Sequence, residues 1–151
     1  SPASVAAPMK NYKNKGGWGT QALKYIIEFG IVPTKDWPAN AIDKKYYTEE
    51  NLEKAKNYMV TEWYDLQERN FDQLMTCLLL RIPVAVGYNW WVHEVSAIDP
   101  ISLGDKKYGI RIRNSWGMSY GKDGYAILGE KKANSDDAIA PRVAVSYPHP
   151  S

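Results

Sequence analysis

Arg113-Asn114-Ser115-Trp116-Gly117, followed by Tyr120-Gly121-Lys122-Asp123-Gly124-Tyr125, is the stretch that decides the reading of this chain. Tyr108–Arg113, just ahead of it, reads as a strand, and the glycines bracketing Lys122-Asp123 read as a turn. An Asn at a strand end has a definite chemical use. Its side-chain oxygen accepts the proton of one imidazole nitrogen, fixing the tautomer and aiming the other nitrogen at a nucleophile. A nearby Trp shields that bond from water, which strengthens it. Without a histidine in reach, the same residues make an ordinary turn with a core tryptophan.

The chain has 2 histidines. His149 lies in the terminal Pro148-His149-Pro150-Ser151 and reads as an unstructured tail. His93 sits in Tyr88-Asn89-Trp90-Trp91-Val92-His93-Glu94-Val95, at the start of the strand that precedes Tyr108–Arg113. A lone strand histidine is more often structural than catalytic. The Asn motif at the end of the next strand turns His93 into a chemical candidate.

Outward from these two motifs, strand-like segments are expected at Pro83–Tyr88, Val92–Ile98, Tyr125–Leu128 and Val143–Tyr147, with Asp99-Pro100 as a turn. Before them, Asn70 with Gln73 resembles a capping box opening a helix on which Phe71, Leu74, Cys77 and Leu78 share an apolar face. From Met59 the period is two, a further strand. Thr48 caps a helix over Glu49–Asn57, whose acidic first turn suits the helix dipole. Gly16-Gly17-Trp18-Gly19 leads into a helix with an Ala22, Leu23, Ile26, Ile27 stripe, ended by Gly30 and Pro33. Ser1–Lys15 reads as loop. Helices early and strands late imply an α+β protein, divided into a helical part over residues 1–58 and an antiparallel, barrel-like sheet over 59–151.

Of the 151 residues 44% are apolar and 13% aromatic, the composition of a folded domain or of two small lobes. A net charge of +2 gives no reason to expect nucleic acid or an acidic membrane surface as partner. No apolar run approaches the length of a membrane span. The single cysteine, Cys77, excludes an internal disulfide, which fits the cytoplasm or a virus particle better than a disulfide-stapled secreted form. Ser1-Pro2-Ala3-Ser4 has no initiator Met and forms no signal peptide. A start inside a longer protein, or cleavage from a precursor, is therefore expected.

The motifs together resemble the papain family of cysteine peptidases. Asn114-Ser115-Trp116-Gly117 and Tyr120-Gly121-Lys122-Asp123-Gly124-Tyr125 look like its Asn-Ser-Trp-Gly and Trp-Gly-x-x-Gly-Tyr segments. Ile82-Pro83-Val84-Ala85-Val86 resembles the Gly-Pro-Val strand ahead of the family's histidine. Gly16-Gly17-Trp18 and the helix after it are similar to the substrate-edge loop, and Val145-Ser146-Tyr147-Pro148 matches the usual chain end. The resemblance implies a papain-like fold: a partial helical lobe followed by a β-barrel-like lobe, with the active site in the cleft between lobes. It makes His93 the general base and acid, Asn114 its orienter and Trp116 the cover of the pair. Gly17 would bind the backbone of an extended peptide or protein substrate. Trp18, Trp91 and Glu94 would surround the pocket for the second residue before the scissile bond. No metal and no cofactor is implied.

The family's nucleophile is not matched. Its cysteine lies about 130–150 residues ahead of His and Asn, whereas 92 residues precede His93. The nucleophile is therefore expected from an N-terminal part of the same protein, upstream of Ser1. Residues 1–151 alone would then be neither active nor independently compact. Cys77, on the apolar face of its helix, reads as a small hydrophobe with an inert thiol. Glu94 stands where a small residue is usual; it pairs with a basic substrate side chain or points to solvent or a nearby Lys or Arg. A second reading is a catalytically inactive papain-like structural or binding module, for instance in a virus particle. Other Cys-His hydrolases, which lack Asn-Ser-Trp-Gly, rank below both.

Overall fold

Local sequence signals account for most of the elements. The computed structural model describes residues 1–146; the tail around His149, and Tyr147-Pro148 of the last strand and chain-end motif, lie outside the described residues. Two compact units emerge. One is Ser1–Trp63 with the chain from Arg142 onward, the other Tyr64–Pro141.

The first unit holds α1 (Pro2–Met9), α2 (Gly19–Phe29), α3 (Glu49–Ala55) and the first part of β1 (Tyr58–Asp65). α1 corrects the expectation of a loop over Ser1–Lys15. Pro2 opens the helix, where its missing N–H is not needed. Ala3 and Ala7 pack with Val32, Trp37 and Ala55. Side chains this small leave no apolar stripe to read. Buried Ser4 is satisfied locally: its hydroxyl accepts from the Val32 N–H at 3.1 Å and donates to the Ser1 carbonyl at 2.8 Å. α2 ends at Gly30, with φ 79°. A Cβ there would collide with the Ala55 carbonyl, so glycine is required on both counts. α3 is capped as expected, the Thr48 hydroxyl accepting from the Asn51 N–H at 3.2 Å.

The second unit builds on α4 (Phe71–Leu79). The Asn70 side chain accepts from the Gln73 N–H at 3.0 Å, while the Gln73 side chain reaches back to the Gln67 N–H at 2.8 Å. Leu74 and Leu78 of α4 are buried in one cluster with Val84, Val86, Val95, Ile110 and Ile112 from the strands. Those strands are β2 (Val84–Tyr88), β3 (His93–Gly104) and β4 (Lys107–Arg113); β5 (Tyr125–Gly129) and the first part of β6 (Asp137–Ser146) complete the unit. The sheet order is β1-β6-β2-β3-β4-β5, and the ladders of β2 with β3 and β6, and of β4 with β3 and β5, are antiparallel. The sheet is open, with β1 and β5 at its edges; the barrel-like part does not close.

Asp99-Pro100 is not the turn expected. β3 runs through it to Gly104, and the β3–β4 register shifts between Ala97 and Asp99. Such a bulge accommodates a proline that has no N–H for the ladder. The Asp99 carboxylate is held by Arg111 on β4 and by Arg81. The chain reverses instead at Gly104-Asp105-Lys106, all at positive φ.

Candidate active site

Tyr88, the last residue of β2, pairs in register with His93, the first of β3. Four residues, Asn89 to Val92, therefore make the hairpin link that delivers His93. Val92 adopts φ 52° and is 92% exposed. A β-branched residue in that region is strained, by about 1–3 kcal/mol. Nothing in the sequence signals this, because valine reads as the start of a strand.

Asn114 directly follows β4. Its N–H donates to the Gly124 carbonyl at 3.0 Å, and the Gly124 N–H donates to the Tyr120 carbonyl at 2.9 Å. The glycine-rich turn thus anchors the asparagine backbone. Gly121, at φ 53°, is needed there because a Cβ would strike the Tyr125 carbonyl. Asn114 is 5% exposed. Its Oδ1 lies 2.9 Å from His93 Nε2 and accepts the Ser115 N–H at 2.8 Å. A backbone N–H can only donate, so the oxygen end of the amide must face Ser115 and the ring. It follows that Nε2 carries the proton it shares with Asn114. In the neutral ring Nδ1 is then the basic nitrogen. Asn114 Nδ2 is buried and has no hydrogen-bond partner among the described residues.

Aromatic rings pack against His93. Trp116 stacks on His93 at 4.8 Å between centroids and 26° between planes. Trp91 meets the imidazole edge-on at 5.1 Å. Tyr120 packs edge-on against Trp116 at 5.3 Å, and Trp90 lies flat on Trp91 at 5.3 Å. The participation of Tyr120 and Trp90 was not foreseen. Their only sequence signal is proximity to the two motifs.

The remaining candidates fall elsewhere. Glu94 follows His93 on β3, where successive side chains alternate between faces. Gly17 and the exposed Trp18 belong to the first unit, immediately before α2. Cys77 packs against the core from α4, and burial pushes its thiol up, the wrong direction for a nucleophile. Among the described residues, no group of His, Cys, Asp and Glu is arranged to hold a metal ion, and no helix is long and apolar enough to cross a membrane.

Helices are followed by an open antiparallel sheet, with His93 and Asn114 presented from neighbouring strands and Trp116 stacked on the imidazole. The fold is that of the papain-like cysteine peptidases. The procathepsin L 3 structure from Tenebrio molitor larval midgut superposes with a TM-score of 0.77, covering 95% of this chain and 55% of that one at 21% identity. Xylellain, a cysteine protease from Xylella fastidiosa, does so at 0.70, with 95% and 70% covered and 21% identity. Among curated proteins, cathepsin L 2 of Paramecium tetraurelia is 27% identical over 135 residues, which is 82% of this chain. The chain spans 41% of that relative's length. No protein-family profile matches it.

Proposed function

We propose that this chain is the His- and Asn-bearing part of a papain-like cysteine peptidase, whose nucleophilic cysteine comes from sequence ahead of Ser1. The observation that carries the reading is the His93 Nε2 to Asn114 Oδ1 contact of 2.9 Å, locked by the Ser115 N–H on the same oxygen. A scaffold has no physical need for a histidine whose tautomer is fixed in this way.

With Nε2–H committed to Asn114, the free Nδ1 takes the proton of the thiol and leaves a thiolate–imidazolium pair. The thiolate attacks the carbonyl carbon of an extended peptide. As the tetrahedral adduct collapses, Nδ1–H protonates the departing amine and the acyl group stays on sulfur. Nδ1 then accepts a proton from water, whose oxygen attacks the thioester; that proton returns to the sulfur when the acid is released. Throughout, Asn114 keeps the ring from rotating and stabilises the imidazolium by accepting its Nε2–H. Trp116 covers one face of the imidazole and Asn114 is itself buried, so water reaches the Nε2–Asn114 bond from fewer directions, which strengthens it. Roles for Gly17, Trp18, Trp91 and Glu94 in binding substrate rest on the family resemblance alone.

The test is kcat/KM on a fluorogenic peptide for the full-length protein and its His93→Ala variant. Loss of turnover in a variant that remains folded supports the reading; equal activity of variant and wild type ends it.

A further inference from the structure

We propose that Asp136 is a positioning residue for His93, acting through the hairpin link between β2 and β3. The inference rests on the peptidase reading only in its kinetic arm.

The link needs an anchor. Val92 holds a strained φ while its own side chain, 92% exposed, recovers nothing by burial. The strain must be sustained from either side. On the far side, His93 is fixed by its pairing with Tyr88. On the near side, the Asn89 N–H donates to Asp136 Oδ2 at 2.8 Å. The Asp136 N–H in turn donates to the Gly87 carbonyl at 3.0 Å. One residue therefore holds the chain on both sides of Tyr88, the register partner of His93. Tyr88 is itself buried, and its hydroxyl donates to the Ala133 carbonyl at 3.1 Å.

Asp136 is well suited to this. Its side chain is 8% exposed, and its second oxygen pairs with Arg69. The Asn89 N–H, and after it Arg69, holds its carboxyl below the usual carboxylate range, so the charged form persists at neutral pH. A charge-assisted bond from a backbone N–H is stronger than a neutral one. Beyond Asn89, the link carries Trp90 flat on Trp91, and Trp91 edge-on to the imidazole. Releasing Asn89 leaves the link held by the Trp91 N–H, which donates to the Tyr88 carbonyl at 3.2 Å, and by ring contacts of Trp90 and Trp91 with Tyr88, and lets its start relax against the strain at Val92. The ring would then drift from its position over Asn114.

The experiment compares wild type, Asp136→Ala and Asp136→Asn in the full-length protein. Asparagine keeps an oxygen for the Asn89 N–H; alanine does not. The expected result is a fall in kcat for Asp136→Ala on the order of 10- to 100-fold, since a misplacement of ~1 Å costs up to about 10²-fold. KM is expected to change less than twofold, and Asp136→Asn to recover kcat to within about threefold of wild type. Independently of activity, NMR is expected to show the His93 Nε2 proton in slow exchange in wild type and Asp136→Asn, and in fast exchange in Asp136→Ala. Wild-type kcat in Asp136→Ala, or equal impairment of both variants, overturns the proposal. Should Asp136→Ala fail to fold, amide exchange of wild type decides: a protected Asn89 N–H is expected, and one exchanging as fast as an open loop refutes the anchor. An inactive wild type with a protected His93 proton lost in Asp136→Ala would sink the peptidase reading and leave this one standing.

Discussion

Replacing Asn114 by alanine separates chemistry from stability more cleanly than any other change at this site. The substitution removes the acceptor of His93 Nε2–H and of the Ser115 N–H. When the ring becomes imidazolium, the first bond is to a charged donor, worth about 1.5–3 kcal/mol. About 1 kcal/mol of that bond is already present in the neutral ring, so about 0.5–2 kcal/mol is specific to the charged state and, at about 1.4 kcal/mol per decade, kcat is expected to fall roughly 2- to 30-fold. This is a smaller loss than that of His93→Ala, because an imidazole without its orienter still accepts a proton. Stability should scarcely move. Two hydrogen bonds of about 1 kcal/mol each are lost. Deleting the amide also deletes Nδ2, a buried donor without a partner among the described residues, which costs about 1–3 kcal/mol while it is there. Ser115 is exposed, so its N–H turns to water. The two sides cancel to within about 1 kcal/mol, a shift in Tm of no more than about 4 °C. The assay is kcat and KM on a fluorogenic peptide, corrected by active-site titration, beside a thermal melt. A kcat within twofold of wild type, or a loss confined to KM, would refute the orienting role.

Other changes extend the account. Trp116→Ala removes a stacked ring from His93 and is expected to lower kcat about 2- to 12-fold, from an aromatic contact of about 0.5–1.5 kcal/mol; unchanged kcat would mean the ring only fills space. Cys77→Ser is expected to leave kcat/KM unchanged, because the thiol packs against the core from α4 with its ionisation suppressed; any large loss of turnover would return Cys77 to the mechanism. That thiol also sets a sign: a raised folded pKa means its contribution to stability is complete below the unfolded value and is lost as pH rises through the folded one. Gly30→Ala is expected to destabilise by about 1–3 kcal/mol from the positive φ alone, and by more from the collision with the Ala55 carbonyl, read as a fall in Tm. A melt unchanged by that substitution would contradict the assigned turn.

What the sequence disclosed, and what it withheld, follows from the range of each interaction. The Thr48 and Asn70 caps, the period-two run from Met59 that marks β1 and the stop at Gly30 are local, and local patterns report them. α1 was invisible because its buried residues are Ala3, Ser4, Val5 and Ala7, too small or too polar to mark an apolar face. Asp99-Pro100 has the composition of a turn, and only the facing Arg111 and the bulge keep it in the strand. The nearness of His93 and Asn114 was legible because each lies at the end of one of two consecutive strands. The Ser115 lock, the stacking of Tyr120 and the Asp136–Asn89 anchor were not. Each depends on a backbone direction or on a contact remote in sequence, and neither leaves a periodic trace.

The central claim is that a cysteine ahead of Ser1 works with His93. Treating the full-length protein with a thiol-directed peptidyl affinity reagent, and mapping the adduct by mass, tests it most directly. The expected result is one adduct per molecule on an upstream cysteine, formed rapidly in wild type and far more slowly in His93→Ala. Labelling at Cys77 alone, or equal rates in the two proteins, would contradict it.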